Sequence, residues 1–573
     1  MNDPKLENLL NLALDATERE REKSLDLNVG YLPEERSWEL IVRYAGDLDE
    51  VRELYPDVSI RELLRGFAIM IVPESQIDAL TDLPQIIYVE KPKRLNFVVN
   101  IGRSVSCINP VQTGSTRLTG RGVLVGIVDS GIDYYHPDFR NEDGSSRILY
   151  LWDQSSDTVY TGEEINAALK AGSRSQAREK LPLVDYSGHG TAVAAIAAGN
   201  GRESQGRYRG VAYESDLIVV KLGTAMPDSF PRTTQLMEGV DFVIRRSLEL
   251  DMPVAINLSF GMNYGSHTGS SLLESYLNEV ADVGRNVIVA GTGNEAASPI
   301  HTSGVIPQSE YPQPFVDIPI AVSVSETVLN LQLWKNYVDN IDVELIHPSG
   351  RIAGPFRQVQ GPQRYVSGGT EVLVYYGEPS PYSLDQEIYI DFIPVEDYID
   401  SGIWTLRLTP NRIVQGNYEL WLPSGNILNR GTGFLYPTPD LTLTIPSTAA
   451  GVLSVGAYDA RYQSYADFSG RGFVGISNTV KPDLVAPGVG VMTASAGGGY
   501  APVTGTSFAA PFVTGAAALL MEYGIVQGSD PYLYGEKVKA YLRRGARQLP
   551  GFDTYPNPQV GYGALCVRDS LPF

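Results

Sequence analysis

Four short motifs hold the residues with which this 573-residue chain could do chemistry. In chain order they are DSGID from Asp129, HGTAVA from His189, AGTGNE through Asn294 and GTSFAAP around Ser507. A carboxylate, an imidazole, an amide and a hydroxyl are the parts that acyl transfer uses: an orienting group, a base, an oxyanion donor and a nucleophile. Each also has an ordinary reading. Serine at a helix start is a favoured cap, Asp129 at a strand end reads as a turn residue, and Asn294 as a turn former. The chain has five histidines, His136, His189, His267, His301 and His347. Of these only His189 opens an apolar helix, where flanking glycines are expected to leave its ring accessible. The other four read as surface or core histidines.

The elements around these residues follow one rule. RGVLVGIVDSG, SDLIVVKL, MPVAINLSFG and NVIVAGTGNE are apolar runs that end in small or polar residues. Helical stretches such as TTQLMEGVDFVIRRSLEL lie between them. That alternation predicts an α/β fold with a parallel sheet covered on both faces. In such sheets, sites form outside the carboxyl ends of the strands, where Asp129, Ser259 and Asn294 fall. Ser507 at a helix start would add its own N–H and the positive helix end. Two other regions have different textures. Residues 1–98 read as a helix over 4–24 followed by an α+β sandwich of the split βαβ, ferredoxin-like kind, with Gly66 as a bend within one strand. Residues 311–442 are short alternating strands separated by turn residues, the pattern of a β-sandwich or jelly roll. This region reads as an insertion into an α/β domain spanning 99–310 and 443–573.

Composition narrows the function classes. There are 45 basic and 67 acidic residues, a net charge of −22, which argues against nucleic acid or an anionic membrane as partner. Cys107 and Cys566 lie far apart without metal-ligand spacing, so a disulfide framework is not the expected basis of stability. The start is polar and acid-rich, without the basic and apolar regions of a signal peptide. No run is read as approaching the ~18 apolar residues of a membrane helix. The expectation is a protein without cofactor that stays in the cytoplasm of the producing cell.

The order Asp…His…Ser is that of subtilisin among the unrelated serine-protease triads. Over 100–310 and 443–573, including KPDLVAPGVGV and VGYGALCV, the chain resembles the subtilisin-like serine proteases, the subtilases of peptidase family S8. The resemblance implies that Asp129 orients His189, that His189 is base and then acid, and that Ser507 attacks. It gives Asn294 and the Ser507 N–H to the oxyanion. It implies that Ser259, Phe260 and Gly261 pair with the substrate backbone and line one wall of the first specificity pocket. Ala290 to Gly293, with Gly291 and Gly293, would form the other wall. Phe260 taken alone also reads as core packing. The amino-terminal region resembles a subtilase prodomain, with self-cleavage among Asn96, Phe97, Val98, Val99, Asn100 and Ile101; the alternative is an ordinary binding domain. Asp138 in HPDF matches a common calcium ligand of the family. The accompanying loop GNGRESQGRYRG carries three arginines, which disfavour a cation, so no metal is expected.

Three features, together with the wording LDLNVGYLPEERSWELIVRYAGDL, resemble the Csp germination-specific subtilases of spore-forming clostridia. They are the missing signal peptide, the helical lead-in to the prodomain and the inserted β region. That resemblance implies a prodomain that stays bound after cleavage and an insertion that rigidifies the catalytic domain. It implies a limited activating cut in the precursor of a spore-cortex hydrolase. The group includes pseudoproteases that lack a triad residue; here all three are present, so activity is expected. Two other functions fit less of the chain. One is a general intracellular or non-classically exported subtilase that degrades peptides. The other is a silent sensor or scaffold that binds a partner or small germinant through the β domain.

Overall fold

Six parallel strands carry the site: β1 Leu124–Asp129, β2 Ile148–Asp153, β3 Asp216–Lys221, β4 Val254–Leu258, β5 Asn286–Gly291 and β6 Leu453–Asp459. They hydrogen-bond in the order β6-β5-β4-β1-β3-β2. Every residue of β1, β4 and β5 is buried, which is why these strands are apolar without alternation. The chain leaves β1 for β3 on one side and places β4 on the other. The carboxyl ends of β1 and β4 therefore flank a topological switch point, the position at which open α/β sheets build their sites. The structure is a computed structural model that describes residues 3–24, 26–93, 96–97, 105–113, 116–223, 231–308, 315–474 and 480–572.

The chain divides into two compact units. One comprises Leu95–Gly261, Leu273–Ala296 and Asp440–Phe573, and the other Met1–Arg94, Met262–Leu272 and Ala297–Pro439. In the first unit, helices α1 His189–Ala198 and α2 Thr506–Met521 are buried at every residue. The sequence reading of membrane helices needs correction here. Thr506–Val526 is long and apolar enough by composition to cross a membrane. It is apolar on all sides because it runs through the core, against α1 and the sheet. A second correction concerns the cysteines: Cys107 and Cys566, 459 residues apart, form a disulfide. It joins the short helix Ile108–Thr113 to the carboxyl-terminal helix Val567–Ser570.

The second unit contains the amino-terminal region and the inserted strands. Strands Ser37–Tyr44, Ser59–Glu62, Phe67–Pro73 and Ile86–Glu90 form an antiparallel sheet in which the first lies between the last two. With helices Asp49–Leu54 and Ile77–Thr81 this gives the βαββαβ order of a ferredoxin-like sandwich. Two local expectations change. The single helix over 4–24 is two helices, Asn8–Asp15 and Glu18–Lys23, because a Thr17–Glu20 capping box starts a new one. Gly66 marks a reversal between two strands rather than a bend in one. It takes φ 76° and its neighbour Arg65 φ 62°, the left-handed geometry that tight turns require. The inserted region forms two antiparallel sheets whose inner faces share one apolar core. Its Leu373, Tyr375, Tyr389 and Ile393 pack in a second core with Leu9, Leu12, Trp38 and Met70 of the amino-terminal region. Polar ties accompany that core: Asn8 Nδ2 donates to the Glu378 carbonyl at 2.9 Å, and Asn330 Nδ2 to Asp26 Oδ2 at 2.6 Å.

Candidate active site

Asp129 ends β1 with its carboxylate fully buried. One oxygen, Oδ1, accepts from His189 Nδ1 at 2.7 Å and from the Ser130 N–H at 2.7 Å. A buried carboxylate on Nδ1 fixes the imidazole tautomer and leaves Nε2 as the base. His189 opens α1 after Gly188, which takes φ 71°. Gly190 follows, and a Cβ there would lie 2.1 Å from the Gly131 carbonyl oxygen and 3.2 Å from Asp129 Cβ. The two glycines thus let α1 start directly against the Asp129 loop. The imidazole is not accessible as the glycines suggested. His189 is only 4 % exposed, because its ring lies 5.2 Å from that of Phe508 and 6.2 Å from that of Phe260.

Ser507 is the second residue of α2, and Gly505 at φ 151° turns the chain into that helix. Pro511 sits inside the helix. It has no N–H to give the Ser507 carbonyl one turn earlier. The Ser259 hydroxyl donates to that carbonyl instead, at 3.0 Å, while Ser507 Oγ is 3.4 Å from the Ser259 carbonyl. Asn257 Nδ2 donates to Ser259 Oγ at 2.8 Å, and Thr514 Oγ1 to Asn257 Oδ1 at 3.0 Å. A buried polar chain therefore ties the end of β4 to the start of α2.

Asn294 follows β5. Its side-chain oxygen accepts from the Thr506 N–H at 3.0 Å and from Thr506 Oγ1 at 3.2 Å, and the Gly293 N–H donates to Thr506 Oγ1 at 3.0 Å. With the oxygen committed to the helix start, Nδ2–H forms no hydrogen bond among the described residues. The Ser507 N–H lies at the positive end of α2; an amide and a backbone N–H are the kinds of donor that an oxyanion site uses. Gly291 and Gly293 leave room for this meeting: a Cβ on Gly291 would lie 3.0 Å from the Thr506 carbonyl, and one on Gly293 2.4 Å from a Thr444 methyl.

Phe260 and Gly261 form an antiparallel bridge with Phe97 and Asn96 respectively. The chain's own segment thus occupies, by strand addition, the edge that the resemblance gave to substrate. Val98, Val99, Asn100 and Ile101 lie outside the described residues. The structure brings together Asp129, His189, Ser259, Phe260, Gly261, Gly291, Gly293, Asn294 and Ser507, drawn from β1, β4, β5, α1 and α2. The other histidines have structural partners. His136 Nε2 is 2.9 Å from Glu203, His347 Nε2 is 2.8 Å from Asp400, and His267 and His301 stack on Trp421 at 4.3 and 4.8 Å. Asp138 accepts from the Tyr500 hydroxyl at 2.9 and 2.8 Å and from the Glu203 N–H at 3.0 Å.

The model of the subtilase family matches residues 120–338 and 423–563, over half of the chain. The chain is a subtilase. Residues 4–93 match the Csp protease B prodomain. The Clostridium perfringens CspB protease is 37 % identical and superposes with a TM-score of 0.76, covering 81 % of this chain and 95 % of that one. The minor extracellular protease Vpr of Bacillus subtilis is 24 % identical over 487 residues, 79 % of this chain and 52 % of Vpr. Subtilisin E of the same organism is 28 % identical over 241 residues, 42 % of this chain and 52 % of subtilisin E. The subtilase described here thus spans about half the length of these two curated relatives.

Sequence reasoning missed a positioning residue, Asp185, which is buried beside the start of α1. Its Oδ1 accepts from Ser130 Oγ at 2.8 Å and the Gly188 N–H at 3.0 Å. Its Oδ2 accepts from the Thr191 N–H at 2.9 Å and Thr191 Oγ1 at 2.7 Å. Ser130 Oγ in turn accepts from the Gly190 N–H at 2.9 Å. Asp185 thereby fastens the loop after Asp129 to the helix that carries His189, and its negative charge suits a helix amino terminus. The available signal was an acid four residues before His189 in a glycine-flanked turn.

Proposed function

We propose that this subtilase is a serine endopeptidase that cuts its own chain near residue 98 and then makes a limited activating cut in a protein substrate. The observation that carries the reading is the Asn96–Phe97 strand on Phe260–Gly261, next to a buried carboxylate–imidazole pair and a serine at a helix start. In this reading the substrate backbone adds to the Ser259–Gly261 edge. Ser507 Oγ attacks the scissile carbonyl while His189 takes its proton. Asp129 holds the imidazole and stabilises the imidazolium. Asn294 Nδ2 and the Ser507 N–H bind the oxyanion, His189 then protonates the leaving amine, and water repeats the sequence on the acyl-enzyme.

The bond cut in the chain itself lies among residues 96–101. Cutting there leaves intact the apolar core that residues 6–89 share with the inserted strands, which supports a prodomain retained without a covalent link. The CspB-like prodomain and the CspB likeness support a germination role, with a spore-cortex hydrolase precursor as substrate, inside the producing cell or spore. Intact mass of purified wild type beside Ser507→Ala, with fluorophosphonate labelling, tests the chemistry. The expected result is a wild-type chain split between 96 and 101 with both pieces co-purifying, labelled at Ser507, against an uncut, unlabelled variant. An uncut and unlabelled wild type would overturn the protease reading. Broad digestion of a panel of denatured proteins would overturn the limited cut and leave general degradation.

A further inference from the structure

The loop whose arginines argued against calcium borders a groove of about 930 Å3 in the first unit. Its walls are the loop residues Arg207 and Arg209, the segment 105–113, and Arg547 and Arg568 near the carboxyl end, with Met492 and Phe512 among the apolar residues. None of the residues assembled at the candidate active site lines it. The charge of this groove runs against that of the chain, which is −22 overall. Arg547 and Arg568 share one carboxylate, that of Asp569, at 2.9 and 2.8 Å. Arg207 and Arg209 form no ion pair among the described residues. Their guanidinium groups lie over Tyr208 and Tyr213 at 5.3 and 4.3 Å from the ring centres. Stacking of this kind orients a guanidinium while leaving its edge free for a carboxylate. Arg209 Nε is buried with no hydrogen-bond partner.

We infer that this groove is an exosite for an acidic segment of the protein substrate, bound in extended form with its carboxylates on Arg207 and Arg209. The inference rests on the limited-cut reading above. A protease that selects one protein needs contacts beyond the residues at the cut, and charge complementarity gives such contacts specificity. The volume is that of a site for a ligand of many atoms, rather than for one inorganic anion.

The test uses the full chain carrying Ser507→Ala, so that no probe is hydrolysed, and a fluorescein-labelled hexaglutamate read by anisotropy. We expect saturable binding that weakens as salt rises. We expect about tenfold weaker binding after Arg207→Glu with Arg209→Glu, a magnitude set by two exposed charge pairs turned repulsive. The doubly reversed chain should keep the far-ultraviolet circular dichroism and melting temperature of the parent, which separates loss of the two charges from misfolding. Absence of hexaglutamate binding, or equal binding by the reversed chain, would overturn the exosite. So would displacement of the peptide by equimolar citrate, which would make the groove a small-anion site, or tighter binding of an oligothymidylate. Fluorophosphonate labelling of the otherwise wild-type chain reports separately on the protease reading, so failure of one is distinct from failure of the other.

Discussion

Replacing Ser259 by alanine should loosen the helix that Ser507 opens, through a carbonyl that Pro511 cannot serve. The Ser507 residue is 2 % exposed, and its carbonyl takes a hydroxyl donor at 3.0 Å from Ser259. Removing that donor strands a buried acceptor, and also removes the acceptor of Asn257 Nδ2 at 2.8 Å. An unsatisfied buried group costs about 1–3 kcal/mol; a mid-range cost of about 2 kcal/mol corresponds to roughly thirtyfold faster opening. Pro511→Ala supplies the remedy, because residue 511 then carries an N–H one turn beyond Ser507. Ser259→Ala should therefore cost about 1–2 kcal/mol less when Pro511 is already alanine, a coupling typical of residues that share a partner. The assay is hydrogen exchange of peptides covering Thr506–Met521, in a His189→Ala background that keeps every chain uncut. Less than about threefold acceleration by Ser259→Ala, or the same acceleration with and without Pro511, would refute the reasoning.

Three further outcomes are open to measurement. Asn294→Asp keeps the oxygen that accepts from Thr506 but removes the Nδ2 donor, so kcat should fall by at least about 10²–10³, with exchange of α2 unchanged. Reduction of Cys107–Cys566, or Cys107→Ser, should lower the melting temperature of the sheet unit. The chain-entropy value for closing so long a loop is about 6 kcal/mol and is an upper bound. Burial pushes the Glu387 carboxyl up to about 8, so the folded unit holds a proton that the unfolded chain releases near its ordinary value. Stability should accordingly fall as pH rises from about 4.5 to 8, by up to about 1.4 kcal/mol per unit. Denaturant melts of wild type and Glu387→Gln across that range should show the slope flattening in the variant.

What the sequence reveals and what it hides divide along physical lines. The site was legible because a parallel sheet writes its strands as unbroken apolar runs and places polar residues at their carboxyl ends. Asp129, Ser259 and Asn294 could be found by that rule, and His189 and Ser507 by their helix starts. Asp185 escaped because a carboxylate that caps a helix through Gly188 and Thr191 has no period and no apolar flank. The burial of His189 escaped because it depends on Phe260 and Phe508, 71 and 319 residues further along the chain. The disulfide escaped for the same reason of distance. Thr506–Val526 escaped the membrane criterion because Thr, Ser, Gly and Pro interrupt the apolar count, while its first sixteen residues, Thr506–Met521, lie wholly in the core.

The amino-terminal region follows a different logic, and it bears on what self-cleavage would change. Prodomain residues such as Leu9, Leu12 and Trp38 are each at most 1 % exposed, and they share a core with Tyr375 and Tyr389 of the inserted strands. Dissociation would return those side chains to water, at about 1.5–3 kcal/mol for each large apolar group. Hydrolysis of a bond among residues 96–101 touches none of these contacts. It severs the chain beside the two-residue strand on Phe260–Gly261. A cut at that position would free the Phe260–Gly261 edge of its tether while leaving the core of the amino-terminal region and the inserted strands intact. Liberation of the edge and loss of the prodomain are separable events, with very different free energies.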